Sequence, residues 1–143
     1  MRIPEEAIIA VASLFTAANG NSLDSDEKRD IEFHSLSGVN PDLLANTLKE
    51  AILEDLDGGS SYRISAYFSL GKKFDRSLIP FLQERLKVEV TRDLDATYQI
   101  MIGLDNLEEP IFSATRDGSH SVFDQELNRQ DAEAYLNPKR AVP

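Results

Sequence analysis

Apolar residues recur along this chain at intervals of three or four positions, which is the spacing of one face of an α-helix. The clearest example is the segment NPDLLANTLKEAILEDLD, in which the repeating apolar residues are Leu44, Leu48, Ile52 and Leu56. Asn40 is suited to cap this helix, and Pro41 to occupy its first position, because a first-turn amide has no partner within the helix. The pattern predicts a helix that begins at Pro41 and ends before Gly58.

Six further segments show the same periodicity and carry start and stop signals of helices. They lie at about 4–18, 24–36, 60–71, 75–86, 91–104 and 124–136. The alternating segment KVEV, residues 87–90, would suit a short strand, but four residues without an evident partner strand are weak evidence for one. We therefore predict an all-α protein.

The stretch EDLDGGSS between two of these helices admits three interpretations: a calcium loop, a phosphate-binding loop or a joint between helices. A calcium loop needs an oxygen ligand at position five, glycine at six and glutamate at twelve, but counting from Asp55 gives Gly59, Ser60 and Ala66. A phosphate loop would need a lysine after the glycines and a strand before them, and the sequence has neither. The stretch is best interpreted as a joint between two helices.

Residues 60–91, with the segment SSYRISAYFSLGKKFDRSLIPFLQERL, show an early arginine, a small apolar run ending in Leu-Gly, an aspartate in the loop and Ile-Pro at the next helix. These positions are Arg63, Ala66, Leu70-Gly71, Asp75, Ile79-Pro80, Leu82 and Leu86. Residues 92–123 contain a degenerate copy at Ala96, Ile102-Gly103 and Pro110-Ile111. In these features the chain resembles the HEAT-like, armadillo-type helical repeats.

The resemblance implies a single domain over residues 1–143, built as a right-handed stack of about three antiparallel helical hairpins with a terminal helix. One helix pair of this size cannot bury its apolar face alone, so the hairpins would share a continuous core. Repeats of this kind have no obligate catalytic machinery, and most present a curved surface that holds another protein. The resemblance therefore favours a protein-binding function.

Charge narrows the class of partner. The chain has 25 acidic and 15 basic residues, a net charge of −10, and no cysteine. Nucleic acids and anionic membranes are poor partners for such a surface, because cations drive binding to both. A basic protein is the natural electrostatic complement. The absence of cysteine excludes thiolate zinc sites and cysteine catalysis.

The negative charge is concentrated towards the two ends of the chain: the net charge is −8 over residues 1–59, +3 over 60–91 and −5 over 92–143. Clusters of acidic residues lie at predicted helix ends, and we predict that they bind the partner: Glu54, Asp55, Asp57, Asp93, Asp95, Asp105, Glu108 and Glu109. Asp93 and Asp95 suit a helix start. Glu54, Asp55 and Asp57, in contrast, lie at a helix C-terminus, where negative charge is unfavourable.

Aromatic and titratable residues add little chemistry. Tyr62 is predicted to be exposed and to join the partner-binding surface, whereas Tyr67 and Tyr98 are predicted to lie in the core. The histidines, His34 and His120, lack metal-ligand spacing; the first is predicted to be structural and the second exposed. No motif for a nucleophile is present, so no catalytic, cofactor or metal-binding residue is predicted.

Together these features predict a non-enzymatic, cytoplasmic protein of the immunity or antitoxin type, which binds and neutralises a basic toxin domain such as a nuclease. Glu5 and Glu6 stand where a signal peptide would need positive charge, in keeping with a cytoplasmic protein. Two alternatives remain open. One is an accessory enzyme or lyase-like factor that binds a small molecule in a concave groove, and the other is a regulatory or assembly adaptor.

Overall fold

Seven α-helices and no strand form in the part of the chain that the computed structural model describes, which comprises residues 3–54, 60–116 and 118–138. The helices are α1 (Ile8–Ala18), α2 (Ser25–Phe33), α3 (Pro41–Glu54), α4 (Ser60–Gly71), α5 (Ile79–Glu89), α6 (Leu94–Asn106) and α7 (Gln125–Leu136). Short 3-10 helices cover Glu5–Ala7, Arg76–Leu78 and Ala114–Arg116. The prediction of an all-α protein is confirmed.

Two helix starts are capped as their sequences predict. The Asn40 side chain accepts hydrogen bonds from the amides of Asp42 at 2.8 Å and Leu43 at 3.3 Å, so it satisfies donors at the start of α3. At the start of α2, the Asp24 carboxylate accepts from the Glu27 amide at 2.8 Å, and the Glu27 carboxylate accepts from the Asp24 amide at 3.0 Å. This reciprocal pair is a capping box.

Other helix ends differ from their predictions. The cap of α6 is Asp93, two residues after the predicted start of this helix, and its carboxylate accepts from two amides of the first turn at 3.1 Å each. The KVEV segment continues α5 to Glu89 instead of forming a strand. α2 ends at Phe33, and Gly38 lies in the following loop with a positive φ of 76°.

The chain divides into two compact units, residues 1–74 and residues 75–143. In the first unit α1 is the central helix and packs against α2, α3 and α4, while α3 also packs against α4. The core of this unit consists of fully buried side chains from α1, α3 and α4, among them Ile8, Val11, Phe15, Leu44, Leu48, Ile52, Tyr67 and Leu70. Tyr67 therefore lies in the core, as predicted.

Tyr62 corrects the prediction that it is exposed. Only 7% of this residue is accessible, and its hydroxyl donates a hydrogen bond to the carbonyl of Ile3 at 2.8 Å. Ser69, on the same helix, donates to the carbonyl of Ile8 at 2.8 Å. The two bonds tie Ile3 and the start of α1 to α4. The side chain of Tyr62 is thus part of the fold and not of a free surface.

The second unit is built from α5, α6 and α7, each of which packs against the other two. Its most buried charge is Glu89, the last residue of α5, which has no accessible surface. The Glu89 carboxylate accepts a hydrogen bond from Nε of Arg92 at 2.9 Å and lies 3.8 Å from the buried guanidinium of Arg85. The ion pair with Arg92 joins the end of α5 to the turn that leads into α6, while Arg85 lies one turn earlier in α5.

The boundary between the units lies between residues 74 and 75, inside the predicted 60–91 repeat. α4 therefore belongs to the first unit and α5 to the second. Within the predicted 92–123 repeat, α6 is followed by the non-helical residues 107–113 and by the 3-10 helix Ala114–Arg116. The arrangement as a stack of hairpins stays a prediction.

We expect Glu89→Gln to destabilise the chain by about 3 kcal/mol, because the change removes the carboxylate that both Arg85 and Arg92 contact. Glu84→Gln, on the exposed side of the same helix, removes an ion pair with Lys87 at 2.9 Å and should have a much smaller effect. Urea denaturation followed by circular dichroism measures both. Equal stability of the two variants would show that the Glu89 ion pairs do not hold this corner together.

Candidate functional site

The predicted partner-binding carboxylates near helix C-termini lie on the surface where the structure describes them. Glu54 is the last residue of α3 and is exposed. Asp55 and Asp57 lie outside the described residues. Asp105 is exposed near the end of α6, and Glu108, which follows that helix, is exposed with a positive φ of 65°.

The predicted acidic pair at the start of α6 divides into two roles. Asp93 is half-buried, and its carboxylate caps the helix. Asp95 is exposed and accepts a hydrogen bond from Nε2 of Gln125 at 3.4 Å. This bond brings the first turn of α6 beside the first turn of α7. A surface that combines the two helix starts was not predicted, because nothing in the sequence pairs residues thirty positions apart.

Glu109 has an internal role that its sequence position does not reveal. Its carboxylate accepts a hydrogen bond from the Tyr135 hydroxyl at 2.6 Å and lies 3.8 Å from the guanidinium of Arg76. The Tyr135 hydroxyl in turn accepts from Nε2 of Gln83 at 2.7 Å. Burial, followed by the hydrogen bond to Glu109, raises the pKa of Tyr135 above its ordinary value. These contacts join α5, the segment after α6, and α7.

The same residues form part of a groove with a volume of about 910 Å³ in the second unit. Its walls come from α5, from residues 109–113 and from α7. Polar and charged groups that line it are Gln83, Glu84, Lys87, Glu109, Ser113, Gln130, Asp131 and Tyr135, and apolar groups are Pro110, Ile111, Ala134, Leu136 and Pro138. A groove with apolar walls and a few fixed polar groups can hold a small molecule or a peptide segment.

Arg116 anchors the segment between α6 and α7. Its side chain is only 7% accessible, and its guanidinium forms ion pairs with Asp131 at 2.9 Å and with Asp124 at 3.4 Å. The guanidinium also lies over the ring of Phe112, 5.5 Å from its centroid. The Asp131 carboxylate accepts a further hydrogen bond from the Ser113 amide at 3.1 Å. One buried cation thus holds residues on both sides of it against α7.

An aromatic stack supports the same segment. The rings of Phe112 and His120 are nearly parallel, 4° apart, with centroids separated by 3.9 Å. Nδ1 of His120 is hydrogen-bonded to the Tyr98 hydroxyl at 3.0 Å, and burial is the main cause that raises the pKa of that tyrosine. The prediction that His120 is exposed is therefore wrong: it is half-buried in this stack. Tyr98 is likewise half-buried rather than fully in the core.

Several cations form ion pairs with carboxylates of the fold, whereas several exposed carboxylates form none among the described residues. Arg85 and Arg116 are buried beside carboxylates, and Lys73 forms an ion pair with Asp42 at 2.7 Å. Other carboxylates are exposed and have no ion-pair partner among the described residues: Asp30, Glu32, Glu50, Glu54, Asp105 and Glu108. A partner would therefore meet carboxylates that the protein's own cations do not neutralise locally.

Comparison with protein-family models, with curated proteins and with solved structures found no match to this chain. In the part of the chain that the structure describes, no three histidine, aspartate or glutamate residues are grouped so that they could hold a metal ion. None of the helices described is long and apolar enough to cross a membrane. The chemistry of the surface is thus the main guide to function.

We expect Arg116→Met to loosen the segment between α6 and α7, because it leaves the largely buried carboxylate of Asp131 without its cation. Hydrogen exchange should accelerate by about tenfold or more at the amides of Ser113 and Asp124, equivalent to at least about 1.4 kcal/mol of lost protection. The control Arg129→Met removes a half-exposed cation that pairs, among the described residues, only with Glu126 and Glu133 of its own helix, and it should leave these amides protected. Unchanged exchange in Arg116→Met would contradict the anchoring role.

Proposed function

We propose that this chain is a non-catalytic protein-binding module whose partner is a basic protein. In its most concrete form it is an acidic immunity or antitoxin-type protein of the cytoplasm that neutralises a basic toxin domain, such as a nuclease. The observation that carries the proposal is the set of exposed carboxylates that form no ion pair among the described residues, in a chain with a net charge of −10 overall. A nuclease is a suitable target because its own substrate is anionic.

Electrostatic attraction gives such a surface a kinetic advantage. Unneutralised charges raise the rate at which oppositely charged proteins meet, and the effect weakens as salt screens them. An inhibitor of a toxin benefits from rapid capture more than from any catalytic step. Burial of Arg63 inside the fold supports the proposal, because it removes from the surface a cation that would oppose a basic partner.

The HEAT-like stack of hairpins, as a single domain, belongs to the proposal. Buried positions on α4 and α5 support it: Ala66, Leu70, Leu82 and Leu86, which match the repeat pattern, are all inaccessible or nearly so. Helical repeats expose a broad surface to a partner while each helix buries one face. The division of the chain at residues 74 and 75 is the feature that a stack would have to accommodate.

A second candidate function is binding of a small molecule in the groove of the second unit. The hydrogen-bonded set of Gln83, Tyr135 and Glu109 favours it, because fixed polar groups between apolar walls are typical of ligand sites. Such a site would suit an accessory enzyme or lyase-like factor. A neighbouring gene for a large secreted protein with a basic C-terminal domain would favour the toxin-binding function instead.

The acidic cluster that follows α3 provides the test. We expect the combined change Glu54→Gln, Asp55→Asn and Asp57→Asn to slow association with the basic protein by about three- to tenfold at low salt and to reduce its salt dependence. The free energy of unfolding should be unchanged or slightly larger, because the variant removes negative charge near a helix C-terminus. The partner is recovered by pull-down from the source organism and purified, and association rates are measured against ionic strength.

A matched control neutralises three carboxylates that already have cation partners: Asp26, Glu84 and Glu133. This variant has the same net charge as the first. If both variants slow association equally, total charge and not the acidic cluster governs binding. If the first variant associates at the rate of the unmodified chain, with the same salt dependence, the cluster is not part of the interface.

A further inference from the structure

Phe123 is the most exposed large apolar residue among those the structure describes. It is 89% accessible, and Leu127, four residues later in the first turn of α7, is 49% accessible. Exposed single apolar residues are common, but a large aromatic side chain at nearly full exposure is unfavourable in water unless a partner covers it. Phe123 comes directly before Asp124, the N-cap residue of α7, so both exposed side chains belong to the start of this helix.

The backbone around Phe123 is held in place. The buried side chain of Asn128 donates a hydrogen bond to the carbonyl of Ser121 at 2.9 Å, and the same carbonyl accepts from the Asp124 amide at 3.1 Å. The Phe123 amide donates to the hydroxyl of Ser121 at 3.2 Å. The ion pair between Arg116 and Asp124 fixes the next residue. An aromatic ring on a fixed backbone loses less entropy on binding than one on a free loop.

Exposed carboxylates lie close to Phe123 at the starts of α6 and α7. Asp95 is hydrogen-bonded to Gln125, two residues after Phe123, and Glu126 is exposed on the first turn of α7. The Asp124 side chain is 44% accessible although its cation partner, Arg116, is buried. Glu126 shares its charge with Arg129, but Asp95 has no cation partner among the described residues. These three carboxylates form the acidic rim of the two helix starts.

We propose that Phe123 is the apolar anchor of a protein-binding surface formed by the starts of α6 and α7, with Leu127 on the first turn of α7 and Asp95, Asp124 and Glu126 at its rim. The occupant is a basic protein that presents an apolar pocket bordered by lysine or arginine. This inference rests on the proposed function, to which it adds a location. Interfaces of this kind derive most of their affinity from one or two buried aromatic residues, while the rim charges set the association rate.

Charge complementarity favours this occupant over a second copy of the chain. A symmetric contact through Phe123 would place this surface against itself, so the carboxylates of each rim would face those of the other. An anionic membrane would meet the same repulsion. Lysine and arginine side chains, in contrast, can approach Asp95 and Glu126 while an apolar pocket covers the ring.

The test uses peptides as the probe. A phage-displayed library of random twelve-residue peptides is selected on the full chain, and the enriched peptides are synthesised. Their affinities are measured by fluorescence polarisation for the unmodified chain, for Phe123→Ala and for Phe33→Ala. Phe33 is the matched control, because it is 80% accessible on α2 and its replacement leaves the net charge unchanged.

We expect the enriched peptides to be rich in lysine and arginine with at least one large apolar residue. Their affinity should fall by about tenfold or more in Phe123→Ala and by less than about twofold in Phe33→Ala. Circular dichroism and thermal unfolding should be unchanged in both variants, because both side chains are exposed. Added salt should weaken binding of the basic peptides.

Three outcomes would overturn the inference in different ways. If basic peptides bind equally to Phe123→Ala but lose affinity when Glu54, Asp55 and Asp57 are neutralised, the proposed function stands and the anchor is wrong. If uncharged apolar peptides bind through Phe123, the basic partner is wrong. A dimer in sedimentation that Phe123→Ala dissociates would assign the surface to a second copy of the chain.

Discussion

The surface of the second unit depends on the ion pairs that the buried guanidinium of Arg116 forms. A cation with so little access to water is stable only beside carboxylates, and Asp124 and Asp131 supply them from two positions on or next to α7. These ion pairs, together with the stack of His120 on Phe112, hold the segment after α6 against α7.

The same constraint acts a second time at Glu89, where one buried carboxylate contacts Arg85 and Arg92. In both places cations are paired inside the fold, and several carboxylates on the surface have no ion-pair partner among the described residues. The charge that a partner meets therefore depends on which surface carboxylates the fold pairs with its own cations. This dependence links the packing of the chain to the proposed binding of a basic protein.

Local signals made much of the fold predictable. Asn40, Pro41 and Asp24 act within a few residues of their own position, so the starts of α2 and α3 could be inferred from the sequence. Tyr62 and His120 were misplaced because their partners, Ile3 and Tyr98, are distant in sequence or reached through a non-helical segment. The acidic clusters were visible as composition, but which carboxylates have cation partners depends on tertiary packing.

The most direct test is to measure the backbone order parameters of residues 119–124 by nitrogen-15 relaxation. If Phe123 is the preorganised anchor that we propose, order parameters should be about 0.85 through this segment, equal to those of α7. Values below about 0.6 would show that the segment is mobile on the nanosecond timescale. Phe123 would then be the exposed side chain of a flexible loop, and the surface described here would not exist as a fixed binding site.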